Sequence, residues 1–186
     1  MVDRMSHVDS GETVRGVENL VEAAQLRQTC ATWPTGVAAV TSAGTDGVPV
    51  GLAVNSFTSL SLEPPLVLFC AALSSTTWPR IRAAGRFLVQ VLAADQHDVA
   101  EVFARSGGDK FAGLAWHRRD GLPELAGISA VLKCSLVEVH TGGDHEIAVG
   151  RVEAVETFGK RPLVFHDGAM HTLPLPRVAG SGAEER

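Results

Sequence analysis

The residues best suited to chemistry in this chain form a run of small hydroxyl and amide side chains, Asn55-Ser56-Phe57-Thr58-Ser59-Leu60-Ser61. An alternating strand pattern, Gly51-Leu52-Ala53-Val54, leads into it. Leu62-Glu63-Pro64-Pro65-Leu66 follows, and its double proline is expected to stop regular pairing. The run is too polar for an ordinary core strand. Asn55 can both donate and accept hydrogen bonds, and Ser56 and Ser59 can do either. Backbone groups from Ala53 and Val54 through Phe57 serve equally well if the strand ends there. Such groups, with Leu60 among them, can grip a flat, hydrogen-bonding heterocycle by its edge. The plain structural alternative is an edge strand with solvent-facing hydroxyls, although Asn is disfavoured in strand interiors.

Three further segments could contribute. In Ser74-Ser75-Thr76-Thr77-Trp78-Pro79-Arg80-Ile81-Arg82, four hydroxyl residues precede a short helical pattern that Gly85 would stop. Thr77 suits the cap and Pro79 the first turn. Hydroxyls, helix-terminal amides and Arg80 or Arg82 could hold a phosphate; a capped surface helix is the plainer reading of the local sequence. Gly142-Gly143-Asp144-His145 is a hairpin turn signature that leaves His145 where a strand begins, beside a possible cleft. Lys110-Phe111-Ala112-Gly113 lies in a loop-like stretch, where Phe111 could anchor the loop or face a ligand.

Several classes are disfavoured. No Gly-x-Gly-x-x-Gly run, P-loop or Gly-x-Ser-x-Gly elbow is present in the sequence. The seven histidines show no metal-ligand spacing, so no metal site is expected. A net charge of -5 without a basic, aromatic-interleaved cluster argues against nucleic acid or an anionic membrane as partner. The three cysteines, Cys30, Cys70 and Cys134, are far apart and read as reduced thiols of a cytoplasmic protein. The polar first 16 residues do not read as a signal peptide, and no apolar run reaches the roughly 20 residues that cross a bilayer.

The elements that must position these groups are mostly strands. Residues 1–16 read as a disordered arm, 17–172 as one domain and 173–186 as a mobile tail. A helix is expected from Val17 to near Trp33-Pro34, because Val17, Leu20, Val21 and Ala24 have helical spacing. Strands are expected at 36–42, 48–57, 66–71, 87–92, 130–140, 146–155 and 163–166, with a turn at Gly44-Thr45-Asp46-Gly47. A helix from Asp95 to Ala104 would take Asp95 as its cap, and 105–125 reads as a long irregular loop. Many strands at short spacing imply a closed or nearly closed barrel.

Taken in order, these segments resemble the short-chain flavin reductase family. The likeness runs from about Leu26 to Phe165. It includes Trp33-Pro34-Thr35-Gly36-Val37, the Gly51-to-Leu66 run, Phe87-Leu88-Val89-Gln90-Val91-Leu92, Phe111 and Gly143-Asp144-His145. The resemblance implies a mainly β, Greek-key-like split β-barrel with short helices, usually a homodimer with its flavin cleft near the subunit interface. It implies an NAD(P)H:flavin oxidoreductase that uses FMN or FAD with NADH or NADPH and supplies reduced flavin to a partner monooxygenase. It places Thr35, the Ala53-to-Leu60 segment, Ser74, Ser75, Thr76, Lys110 and Phe111 at the flavin, and His145 near the nicotinamide. It also favours the phosphate reading of the Ser74–Thr77 stretch, and Arg151 matches a common family position. Two departures stand out: Trp33 replaces a usual phenylalanine, and the segment after His166 lacks the aromatic often found there. The alternatives are a flavin-holding electron carrier or sensor of the same fold, and a barrel with a vestigial pocket.

Overall fold

The computed structural model describes residues 21–174. The expected N-terminal arm, the helix positions Val17 and Leu20, and nearly all of the expected tail lie outside that range. Among the described residues the chain forms twelve strands and three short helices. In order these are α1 (Ala23–Ala31), β1 (Thr35–Gly36), β2 (Ala38–Ala43), β3 (Pro49–Val54), β4 (Thr58–Leu62), β5 (Pro65–Ala72), α2 (Trp78–Ala84) and β6 (Arg86–Val91). Then come α3 (His97–Ala104), β7 (Trp116–Arg119), β8 (Leu122–Leu125), β9 (Ala130–Gly142), β10 (His145–Thr157), β11 (Leu163–His166) and β12 (Ala169–Thr172).

Seven strands make one antiparallel sheet in the order β3-β2-β6-β9-β10-β5-β4. Its two edges, β3 and β4, are consecutive in the chain and are joined only by the bend at Asn55–Phe57. The barrel is therefore split: the covalent chain, rather than a hydrogen-bond ladder, carries it round from one edge to the other. The polar run sits at that split. The double proline does not end pairing as expected. Glu63 and Pro64 form a tight turn, and Pro65 opens β5 opposite Leu62.

Both faces of the central strands are buried. One cluster, with Val40, Leu52, Phe69, Trp78, Phe87 and Val89, fills the barrel. Phe69 meets Trp78 and Phe87 edge to face, at 5.5 and 5.6 Å between ring centroids. Such rings are the largest contributors to the core, each worth roughly 1.5–3 kcal/mol by burial. The other cluster, with Ala39, Leu88, Leu92, Phe103, Leu125 and Leu163, lies under α3, β8 and β11.

Three expectations are corrected. The helix α1 is shorter than its pattern, begins at a capping box between Glu22 and Gln25, and buries no residue. The helix α3 starts at His97 with Gln96 at its cap position, so Asp95 is not the cap. Gln96 instead ties the backbone down, accepting from Ala93 N–H and donating to Ala126 C=O, both at 2.9 Å. The supposed loop 105–125 contains the hairpin β7–β8. Its turn, Asp120-Gly121, has φ of 51° and 85°, the left-handed pair that a tight hairpin requires. The hairpin docks on the sheet through Gln90, which donates to Thr41 Oγ1 (2.7 Å) and accepts from Leu125 N–H (2.7 Å). A buried amide in a central strand needs such partners.

Candidate active site

The edge strand β3 supplies unpaired backbone groups. In its antiparallel pairing with β2, alternate residues turn their N–H and C=O away from the partner. The Gly51 carbonyl is one of these outward groups, because it accepts from Lys110 Nζ at 3.0 Å. Two residues on, Ala53 presents its N–H and C=O the same way. Helix α3 covers part of this edge because Gly51 has no side chain: a Cβ there would collide with the Phe103 ring. The result is a cleft of about 310 Å³ between the end of β3, the end of β5, the Ser74–Thr77 loop and the C-terminal end of α3.

The cleft collects many of the expected residues: Ala53, Val54, Asn55, Ser56, Ser74, Ser75, Thr76, Lys110 and His145. The Asn55 side chain is exposed and makes no hydrogen bond among the described residues. Ser56 behaves differently. Its Oγ accepts from Cys70 N–H (2.9 Å) and lies 3.3 Å from Cys70 C=O, closing the seam where β4 no longer pairs with β5. Ser75 Oγ accepts from Thr77 N–H and Trp78 N–H at 3.3 and 3.1 Å. Ser75, not Thr77, therefore caps α2.

Lys110 is nearly buried, and its Nζ also donates to Phe103 C=O at 3.1 Å. Desolvation holds its ammonium below the usual lysine range. Two of its three donors are thus engaged with carbonyls, and the third remains for the cleft. His145 opens β10 opposite Ala72. Its Nδ1 lies 2.7 Å from Asp144 Oδ1, and this hydrogen bond, with the charge of the ring, holds the Asp144 carboxyl below its ordinary range. Nε2 has no partner among the described residues. The Gly143–Asp144 turn sets this geometry, with Gly143 at φ 67°.

Other expected residues lie elsewhere. Ser59 and Leu60 are exposed on β4, outside the cleft. Phe57 packs on the barrel core and Phe111 in the second core. Phe111 stacks edge to face with Phe103 (5.2 Å) and Trp116 (5.4 Å), so it anchors the loop and does not cover a ring in the cleft. Thr35 pairs with Phe165 in the small sheet, and its solvent-shielded Oγ1 has no partner. Arg80 and Arg82 do not line the cleft: they bridge to Asp46 at 2.8 Å and Glu146 at 2.6 Å. Trp33 is three-quarters exposed and does not shape the cleft.

Sequence reasoning missed Cys70, Ala71 and Ala72 from β5, Phe103 and Ala104 from α3, and Arg105 and Ser106 beyond it. The alanine pair ending the apolar run of β5 was a usable signal, since small side chains leave room where a strand stops. Nothing local marked Arg105 or Ser106. An apolar slot of about 250 Å³ adjoins the cleft through Ala53, Val54, Asn55 and Ala104, and Phe165 and Met170 form its far wall.

A profile of the flavin reductase like domain matches residues 30–174. The chain belongs to the flavin reductase family. Among relatives, it is 45% identical over 150 residues to HsaB of Rhodococcus jostii, the reductase subunit of a flavin-dependent monooxygenase, covering 76% of each chain. A probable flavin reductase of Rhizobium meliloti is 42% identical over 156 residues, 83% of this chain but 49% of that protein, so this chain spans about half of it. In structure, the chain is similar to an NADH:FAD oxidoreductase of Streptomyces globisporus in complex with NAD and FAD fragments. The TM-score is 0.80 at 34% identity, covering 88% of this chain and 99% of that one. The cleft fits a flavin of this family. It offers an unpaired strand edge and an unpartnered amide for a heterocycle, and hydroxyls and an ammonium for a phosphate.

No described helix is long and apolar enough to cross a membrane. No group of three or more potential metal-ligating side chains occurs among the described residues.

Proposed function

We propose that this chain is an NAD(P)H:flavin oxidoreductase that reduces FMN or FAD and supplies the reduced flavin to a partner monooxygenase. One observation carries the reading: the unpaired Ala53 backbone, the Asn55 amide, Lys110 and His145 converge on a single cleft. A bound flavin supplies the hydride-accepting ring, and the nicotinamide nucleotide supplies the hydride.

The chain's own contribution is alignment and electrostatics. Ala53 N–H and C=O with the Asn55 amide meet the edge of the heterocycle and fix its plane. Ser74 and Thr76 hydroxyls and the third Lys110 donor hold the phosphate. His145, oriented through Nδ1 by Asp144, presents Nε2 to the nicotinamide side and stabilises charge there. No side chain has to move a proton for hydride transfer. Neutral donors dominate the cleft, and Arg80 and Arg82 are held by carboxylates. Moderate flavin affinity follows, as release of a reduced product requires.

Residues 17–172 form the catalytic domain, and the working unit is a homodimer. Exposed Leu60, Leu62, Val137 and Val155 on β4, β9 and β10 support a second copy as their cover. The cytoplasm is the site of action, consistent with free Cys30, Cys70 and Cys134. The test is oxidation of NADH and NADPH by the purified protein with FMN, FAD or no flavin. Multiple turnovers that need added flavin are expected. Bound flavin without turnover would replace the reductase with an electron carrier or sensor. Absence of both would remove the flavin reading.

A further inference from the structure

A second cavity of about 470 Å³, larger than the cleft itself, adjoins it at Thr76 and Lys110. Thr76, Thr77 and Lys110 line both. One wall of the second cavity is the start of β3 with the residue before it, Val48-Pro49-Val50-Gly51. The opposite wall is Gly107-Gly108-Asp109, and Arg80 closes one side.

We infer that this second cavity receives the adenylate half of a flavin dinucleotide, so that FAD rather than FMN is the preferred flavin. The inference rests on the flavin reading above, with the phosphate at the Ser74–Thr76 end of the cleft. The chemistry of the two walls suits an adenosine phosphate. Val48, half exposed, and Pro49 give the flat purine an apolar surface. Gly51 belongs to the outward set of β3, and its N–H is left over after Lys110 takes its carbonyl. Gly107 and Gly108, both at positive φ, bring side-chain-free backbone to the other wall. Arg80 holds Asp46 through Nη2 alone, at 2.8 and 3.1 Å to its two oxygens, which leaves Nη1 and Nε as donors for a second phosphate. FMN stops at the junction and uses none of these groups.

Flavin fluorescence titrations give the test. The intact protein is expected to bind FAD at least about tenfold more tightly than FMN, the gain typical of one or two added charge-assisted contacts. Val48→Trp should fill the second cavity, and Arg80→Ala should remove its cation. Each is expected to shrink the FAD-to-FMN affinity ratio toward one, with Arg80→Lys restoring part of it. Circular dichroism checks that each variant is folded, and the ratio in the unmodified protein stands even if both variants misfold. Equal or tighter FMN binding would overturn the inference and leave the flavin reading intact. An unchanged ratio with a raised KM for NADH, FMN being the acceptor, would also overturn it, by assigning the cavity to the nicotinamide nucleotide. Failure to bind either flavin would overturn both readings.

Discussion

The two edges of the main sheet, β3 and β4, follow one another in the chain and have opposite fates. Both begin with the same problem, a row of unpaired backbone groups. At β3 the row is covered by α3 and by Lys110, which leaves a narrow opening lined with amides. At β4 the row faces outward, and the strand is exposed at four of its five positions. One polar run, Asn55 to Ser61, supplies both the mouth of the cleft and the outer edge. A strand edge therefore becomes a binding surface by partial cover, not by the composition of its residues.

Gly51→Val should break this contrast most severely. The added side chain meets Phe103, lifts α3 from β3 and removes Lys110 from its carbonyl. A loss of about 1–3 kcal/mol of stability is expected from overpacking, with flavin binding abolished. Denaturant unfolding and a flavin titration check both parts.

Lys110→Met comes next. It leaves the Gly51 and Phe103 carbonyls without their donor, at about 1–3 kcal/mol. The pH dependence has a definite sign. Burial lowers the Lys110 pKa below 10.5, so between the folded and unfolded values the unfolded chain binds more protons. The Lys110 contribution to stability thus rises with pH through that window, whereas flavin phosphate affinity falls as the ammonium is lost. Titrations from neutral to alkaline pH should show FMN affinity declining below the ordinary lysine range, and Lys110→Met should flatten the decline.

Asn55→Ala and Ser59→Ala sharpen the comparison directly. The first should weaken flavin binding by about tenfold, one hydrogen bond's worth, and the second should leave it unchanged. Equal effects would mean that β4 also meets the flavin. His145→Ala comes last, because its effect falls on turnover more than on binding. It should lower kcat for nicotinamide oxidation by about tenfold or more while shifting flavin Kd less than threefold. Stopped-flow reduction with saturating flavin separates the two.

Much of this arrangement was legible beforehand. Alternation marked β3, short apolar runs marked β2 and β6, and the Gly143-Asp144 turn placed His145 at the mouth of the cleft. The hairpin β7–β8 was missed although Asp120-Gly121 is a strong turn signal, because the glycine- and charge-rich stretch around it masked two four-residue strands. Phe111 was legible as buried or ligand-facing, and only the positions of Phe103 and Trp116 decide for burial.

By itself the sequence determined the strand-rich class, the hairpin turns, and the small polar run that interrupts an apolar pattern. These depend on periodicity and backbone preference, which act over a few residues. The tertiary structure decided which polar groups are left to a ligand. Ser56 is engaged by Cys70, 14 residues away, and Lys110 reaches Gly51 across 59. Hydrogen-bonding capacity is a property of the residue, but availability depends on which distant backbone group has already claimed it, and only the folded sheet brings those groups within reach.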